Sequence, residues 1–363
     1  MIVTRRAFQL GLLASGTIMA TPSGVRAATV RGGAGADSDI NTDSILRRVD
    51  PELRAGARKV LSHPLPVPLT LAAIRTMRRN APAAVAPLPP PAPAVARHNA
   101  PHIGGGPPVP VTVIGARPGG ALRPAVLHIH GGGMIVGRVA DTIVASQRLA
   151  DELDCVVVEA DYRLSPETPF PGPLEDCYSA LKWLHDNAVA LGVDRRHIAV
   201  MGESAGGGLA AMVAIAARDR RAIPICYQVL IYPMLDDRTG STRRVPPFIG
   251  RIGWNEAGNR FGWSSFLGRP AGAATVPYGS VPARVWDLSG LPPAFIGVGA
   301  IDLFVDEDIA YAARLVAAGA PTQLHVTPGA YHGFDFVAPE ARVAIEFTAA
   351  WKSALRAAFA TAT

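Results

Sequence analysis

Gly202-Glu203-Ser204-Ala205-Gly206 carries the sharpest chemical content in the chain. It matches G-x-S-x-G, with an apolar run at 198–201 before it and an Ala-rich stretch at 209–214 after it. A strand that feeds a helix through so tight a turn exposes the serine hydroxyl at the end of a sheet, and glycines two residues to either side leave the room. The following helix would aim its N-terminal amides at the same place. The chemistry such a serine does is nucleophilic attack on an acyl carbon. The plain alternative is a glycine-rich turn with no nucleophile in it, so the reading depends on partners elsewhere.

Those partners are present. His130-Gly131-Gly132-Gly133 follows the apolar run 126–129. Three glycines at a strand end let the backbone approach a ligand and leave amides free to stabilise an oxyanion, and the Ala205 amide would complete the set. The loop has neither the Lys-Ser/Thr of a P-loop nor G-x-G-x-x-G spacing, which argues against a phosphate site. His130 reads as a residue that orders this loop. A nucleophilic serine also needs a histidine base and a carboxylate to orient it, in the chain order Ser, acid, His. Only His325 and His332 lie downstream of Ser204. His325 sits in a strand-like run and should pack there, whereas His332 lies in a loop that can reach the serine. Asp302 follows the apolar run 294–298 and is the expected acid. Asp306 is the fallback, because carboxylates at 306–308 also suit a helix N-terminus.

The elements that must hold these residues follow from pattern. Short apolar runs at 109–114, 125–129, 155–159, 197–201, 225–232, 294–298 and 322–327 read as strands. Stretches at 142–153, 173–191, 205–218, 305–318 and 339–359 read as helices. Their alternation predicts an α/β fold, a mostly parallel sheet covered by helices on both faces. Residues 41–80 carry helical patterning, with Asp43 as an expected N-cap and Pro51 opening a second helix. Six prolines within 81–93 favour an extended linker. Residues 235–290 break the rhythm and read as an insertion over the C-terminal edge of the sheet. Its aromatics Phe248, Trp254, Phe261, Trp263 and Phe266 either line an acyl or alcohol pocket or pack the core of a cap.

Composition removes other classes. The chain has 363 residues, 49% of them hydrophobic and 18% charged, which fits neither disorder nor a coiled coil. The net charge of +6 is scattered, with no Lys/Arg block and no zinc-finger spacing, so nucleic acid is not an expected partner. Cys155, Cys177 and Cys226 form no disulfide framework. The remaining histidines show no metal-ligand spacing, so no metal is expected. At the N-terminus Arg5-Arg6, then Phe8 and Leu10, precede a weakly apolar stretch and a small-residue site at Val25-Arg26-Ala27. Residues 1–27 therefore read as a twin-arginine-type signal peptide that directs export and leaves no stable membrane anchor.

Taken together, these motifs resemble the hormone-sensitive-lipase-like branch of the α/β-hydrolases, the bacterial family IV esterases. The resemblance rests on His130-Gly-Gly-Gly133, Asp161-Tyr-Arg-Leu-Ser-Pro-Glu167, the Ser204 pentapeptide, Asp302 with Asp306-Glu307, and His332-Gly-Phe334. It spans roughly 109–363 and, more weakly, 41–80. It implies an eight-stranded sheet, a cap built from residues 28–96 plus the 235–290 insertion, and a catalytic domain over 97–363. It also implies hydrolysis of short-to-medium acyl esters through an acyl-serine, without a cofactor. Gly131, Gly132, Gly133 and Ala205 would form the oxyanion hole, mainly through the last three. Met134 stands where many relatives carry an aromatic and would shape the pocket with Trp254 and Trp263. Leu303-Phe304-Val305 replaces a common Pro-Leu-Arg. Glu203 replaces a more usual Asp and should be a structural hydrogen-bonding residue. The expected partner is a small ester, with a homodimer left open. Amide or lactone hydrolysis by the same triad, and a non-catalytic small-molecule binder on the same fold, are the alternatives.

Overall fold

Runs of β-branched and aliphatic residues dominate the strands, and their burial on both faces explains why they read as continuous apolar segments. The computed structural model describes residues 41–361. Among these, eight strands form one sheet in the order β1-β2-β4-β3-β5-β6-β7-β8. They are β1 (Val95–Ala100), β2 (Val109–Ile114), β3 (Arg123–Ile129), β4 (Val156–Ala160), β5 (Val193–Glu203), β6 (Tyr227–Ile231), β7 (Ala294–Gly299) and β8 (Thr322–Thr327). The β1–β2 and β2–β4 pairs are antiparallel, and the rest of the sheet is parallel. The mostly parallel α/β sheet that the pattern predicts is thus present. The polar strand β1 is an addition, and it runs across the 96/97 boundary suggested by the sequence.

Helices α1 (Thr42–Arg48), α2 (Arg54–Leu61) and α3 (Leu71–Arg79) precede the sheet. Within and after it come α4 (Ile143–Glu152), α5 (Gly172–Asp186), α6 (Ala188–Leu191), α7 (Ala205–Arg220), α8 (Glu256–Leu267), α9 (Val305–Ala317), α10 (Phe334–Val337) and α11 (Arg342–Thr361). One core lies between the sheet and α5, α7 and α9, built around Leu127, Val158, Leu181, Leu209 and Leu315. The other lies beneath α4 and α11, around Val126, Val157, Phe295 and Phe347, and it takes in Leu46 and Leu53 from the N-terminal segment. Phe347 is fully buried there, and its truncation to alanine should cost about 3–5 kcal/mol.

Three local expectations shift. Asn41, not Asp43, caps α1, because its side chain accepts the Ser44 amide at 2.9 Å. The helix expected over 173–191 breaks at Asn187 into α5 and α6. The proline-rich 81–93 segment is tied to α4, where Gln147 accepts the Leu88 amide and donates to the Leu88 and Pro93 carbonyls. The expected signal segment, 1–27, lies outside the described residues. Among the described residues no helix is long and apolar enough to cross a membrane.

Candidate active site

The turn from β5 into α7 puts Ser204 in a backbone conformation that L-residues rarely adopt, φ 55° and ψ −119°. Hydrogen bonds hold it there. Its amide donates to the Ile231 carbonyl, and its carbonyl accepts the Met234 and Gly208 amides. The flanking glycines are required by close approach. A Cβ on Gly202 would strike Gly206, and a Cβ on Gly206 would strike the Ile129 and His130 carbonyl oxygens. Such crowding between backbones is the physical content of G-x-S-x-G.

Ser204 Oγ lies 2.9 Å from His332 Nε2, and His332 Nδ1 lies 2.8 Å from Asp302 Oδ2. Three segments distant in sequence meet in this line. Asp302 follows β7, is fully buried, and its second oxygen accepts the Phe304 amide at 3.0 Å. His332 follows β8, with Tyr232 and Phe304 packed edge-on against its ring. Asp306 is exposed on α9 and does not join the line. His325 packs in β8 against Phe295 and Phe347.

The glycine loop runs beside the serine. Gly132 and Gly133 both have positive φ, and the Gly132 carbonyl accepts the Ile135 and Val136 amides, which closes a tight turn. Among the described residues no backbone or side-chain acceptor takes the amides of Gly132, Gly133 or Ala205. His130 orders this loop from beneath. Its Nδ1 donates to the Gly131 carbonyl at 2.8 Å, and its ring stacks on Tyr162, whose hydroxyl donates to the His130 carbonyl at 3.0 Å. Burial lowers the His130 pKa, so the ring is held neutral.

The residues expected to line a pocket divide. Trp254 packs its ring against Gly133 and donates its indole N–H to Asn259 Oδ1 at 3.2 Å. Trp263 is fully buried, edge-on to Phe266 within the core. Met134 is also fully buried, with its methyl group near Gly208 of α7.

The roles of several supporting residues escaped the sequence reading. Glu307 accepts the Leu235 and Asp236 amides and so braces the loop after β6. Asp335 accepts the Tyr232 hydroxyl at 3.0 Å, and burial pushes its carboxyl up to about 6. Arg78 on α3 reaches the turn of the glycine loop through the Ile135 carbonyl. His128 joins Glu159 to Glu203 directly below the serine. The one signal for His128 and Glu159 is a polar residue near the end of an otherwise apolar strand.

A family model for the alpha/beta hydrolase fold matches residues 126–336. The chain is 34% identical over 243 residues to Esterase LipI of Mycobacterium tuberculosis, covering 66% of this chain and 74% of that protein. It is 34% identical over 245 residues to Carboxylesterase NlhH of the same species, covering 65% and 74%. Among solved structures it superposes on Bacterial Heroin Esterase with a TM-score of 0.77 and 34% identity, covering 86% of this chain and 99% of that one. The chain belongs to the α/β-hydrolase fold family. Its likeness to these esterases agrees with the hormone-sensitive-lipase-like resemblance drawn from the motifs.

Proposed function

We infer that this chain is a carboxylic ester hydrolase that works through an acyl-serine. The observation that carries the reading is the unbroken line from Asp302 through His332 to Ser204 at 2.8 and 2.9 Å, on a strained elbow beside free amides. The esterase names of the relatives supply the reaction class.

Each residue has a defined task in this reading. Ser204 Oγ attacks the ester carbonyl as His332 Nε2 takes its proton. Asp302 accepts from Nδ1, which fixes the tautomer and stabilises the imidazolium as it forms. The amides of Gly132, Gly133 and Ala205 receive the negative charge that grows on the carbonyl oxygen, with Gly131 setting the path of the loop. Loss of one such donor typically costs about 10²–10³ in rate. The imidazolium then protonates the leaving alcohol. Water repeats the sequence on the acyl-serine and releases the acid. Trp254 forms the wall beside Gly133, and short-to-medium acyl esters are the substrates the family resemblance implies. Export rests on Arg5-Arg6 and the Val25-Arg26-Ala27 site, with the working chain starting near Ala28. A second copy would find its pairing edge at β8, where Gln323 and Leu324 are exposed.

The test is hydrolysis of p-nitrophenyl esters from acetate to decanoate by the chain and by Ser204→Ala. A rate that disappears in Ser204→Ala supports the triad, and the chain-length profile sizes the pocket. A folded wild type with no rate on any of them overturns the ester reading and turns attention to amides and lactones.

A further inference from the structure

The two halves of the proposed machinery leave the sheet from neighbouring strands. The glycine loop leaves β3, and the serine elbow leaves β5. Transition-state stabilisation depends on the distance between them, because the donors must meet an oxygen attached to the carbon that Ser204 attacks. Between these exits lies a largely buried charged cluster to which the reaction gives no other task.

His128 on β3 is in register with Glu159 on β4 and Met201 on β5. The two-residue period of a strand puts Glu203 on the same face as Met201. His128 Nδ1 lies 2.7 Å from Glu159 Oε2, and its Nε2 lies 2.9 and 3.0 Å from the two oxygens of Glu203. Ser146 of α4 donates to the other Glu159 oxygen. Glu203 immediately precedes Ser204, and His128 is two residues before His130. Around Glu203 stand Tyr232, Asp335 and Tyr162, and His130 neighbours Glu159 and His128 on the β3 side.

The geometry favours one protonation state. An ionised carboxylate only accepts hydrogen bonds, and a neutral imidazole has one N–H. Both ring nitrogens face carboxylate oxygens, so both carry hydrogens. Burial pulls the His128 pKa down, but Glu159 and Glu203 outweigh it and hold it well above the usual histidine value. Burial also opposes ionisation of Glu159, and His128 overcomes it, leaving that carboxyl below its usual value.

We propose that His128 is a positioning residue for the ester reaction: as an imidazolium clamped between Glu159 and Glu203, it fixes the spacing between the oxyanion donors and Ser204. The proposal rests on the reading of Ser204 as nucleophile. Its consequence is a dependence on pH that belongs to neither Ser204 nor His332. The clamp is whole at neutral pH and is lost as the pH rises through the raised value of His128.

His128→Gln in the full chain keeps a polar side chain of similar reach and removes the charge. Its kcat on p-nitrophenyl acetate should fall about 10²-fold, as expected for a misplacement of roughly 1 Å. KM should stay within about threefold, because the lost contact matters only in the transition state. Inhibition by an alkyl trifluoromethyl ketone, which forms the tetrahedral adduct, should weaken in parallel with kcat. Glu203→Gln removes one carboxylate and should move the alkaline limb of the wild-type kcat profile to lower pH. Nitrogen NMR of the wild type should report both His128 ring nitrogens protonated at pH 8. Should His128→Gln fail to fold, the Glu203→Gln profile and the wild-type spectrum decide. A folded His128→Gln with unchanged kcat, an unmoved limb in Glu203→Gln, or a neutral His128 at pH 8 overturns the clamp alone. Undiminished activity in Ser204→Ala overturns the serine reading and the clamp with it.

Discussion

The indole ring of Trp254 fills the space that a Cβ on Gly133 would need. Gly133 also has φ 61°, in the left-handed region. An alanine there meets two separate obstacles: a strained backbone and a ring that must move away from its Asn259 partner. The Gly133→Ala variant should lose about 10²-fold in kcat, the scale of one oxyanion donor displaced. Adding Trp254→Ala removes the ring and leaves the φ penalty. Losing the buried indole has its own packing cost. The double variant should therefore melt no higher than Gly133→Ala but lose less than the sum of the two single losses, and it should regain little of the lost kcat. Ester kinetics and thermal melts on both single variants and the double variant separate the two contributions.

Asp302 and Asp306 make a sharp contrast. Asp302 is buried on His332 Nδ1, whereas Asp306 is exposed on the first turn of α9. Asp302→Asn preserves shape, but its amide no longer enforces the tautomer that leaves Nε2 free to accept the serine proton. Its kcat should fall about 10⁴-fold. Asp306→Asn should stay within about threefold of wild type, as a surface change near a helix N-terminus does. Steady-state kinetics on the pair checks both, and a large loss in Asp306→Asn would reverse the assignment.

The elements of the site legible in the sequence are those whose signal is local. The elbow needs glycines because backbones nearly touch at Gly202 and Gly206, and a strand–turn–helix pattern within a few residues reveals it. Asp302 and His332 were readable because each follows a strand-like run in the required chain order. What stayed hidden depends on distant register. His128 meets Glu159 and Glu203 across 31 and 75 residues, and only parallel pairing of β3, β4 and β5 aligns them. β1 escaped because Arg97, His98 and Asn99 give an exposed edge strand no apolar pattern. Whether Trp263 lines a pocket or packs a core turns on which way α8 faces, and a list of aromatics at 248–266 does not carry that information. In the structure it faces Phe266 and the core.

Asp308 has both carboxyl oxygens buried with no hydrogen-bond partner among the described residues. Burial, and then the neighbouring Glu307 and Asp302, push its pKa well up. The folded chain therefore resists ionising the group, while the unfolded chain ionises it near 3.9. Above that value the unfolded state binds fewer protons, so this residue subtracts stability as the pH rises toward its folded value. Asp308→Val should stabilise the protein by about 1–3 kcal/mol at pH 8, the cost of a buried unpartnered group. The gain should shrink at pH 4, where about half of the unfolded chains also carry the proton. Urea unfolding at the two pH values measures this, and a destabilisation at both would show that the carboxyl has a partner after all.

Arg78 links the N-terminal helices to the proposed oxyanion donors. From α3 its Nε donates to the Ile135 carbonyl at 2.8 Å and its Nη2 to the Ser165 carbonyl at 2.7 Å, while its Nη1 meets both Glu167 oxygens at 3.0 Å. Ile135 and Ser165 are each one bond from the glycine loop, since the Ile135 amide donates to the Gly132 carbonyl and the Ser165 amide to the Met134 carbonyl. One planar guanidinium thus holds two carbonyls and a carboxylate in a geometry that a lysine ammonium cannot reproduce. Burial works against ionisation of Glu167, but backbone hydrogen bonding and Arg78 hold its carboxyl below the usual value. The ion pair to Glu167 therefore persists at neutral pH and is lost only as the pH falls through that lowered value. Arg78→Ala should lower kcat about tenfold, because charge-assisted bonds to carbonyls of this kind contribute about 1.5–3 kcal/mol and part of that ordering reaches the donors. Arg78→Lys should fall between Arg78→Ala and wild type, and Glu167→Gln should change kcat less than either, because it leaves both carbonyl contacts in place. Kinetics on the three variants, with melting temperatures alongside, tests the ranking. An Arg78→Ala enzyme with full kcat and a lowered melting temperature would confine the arginine to holding α3 in place.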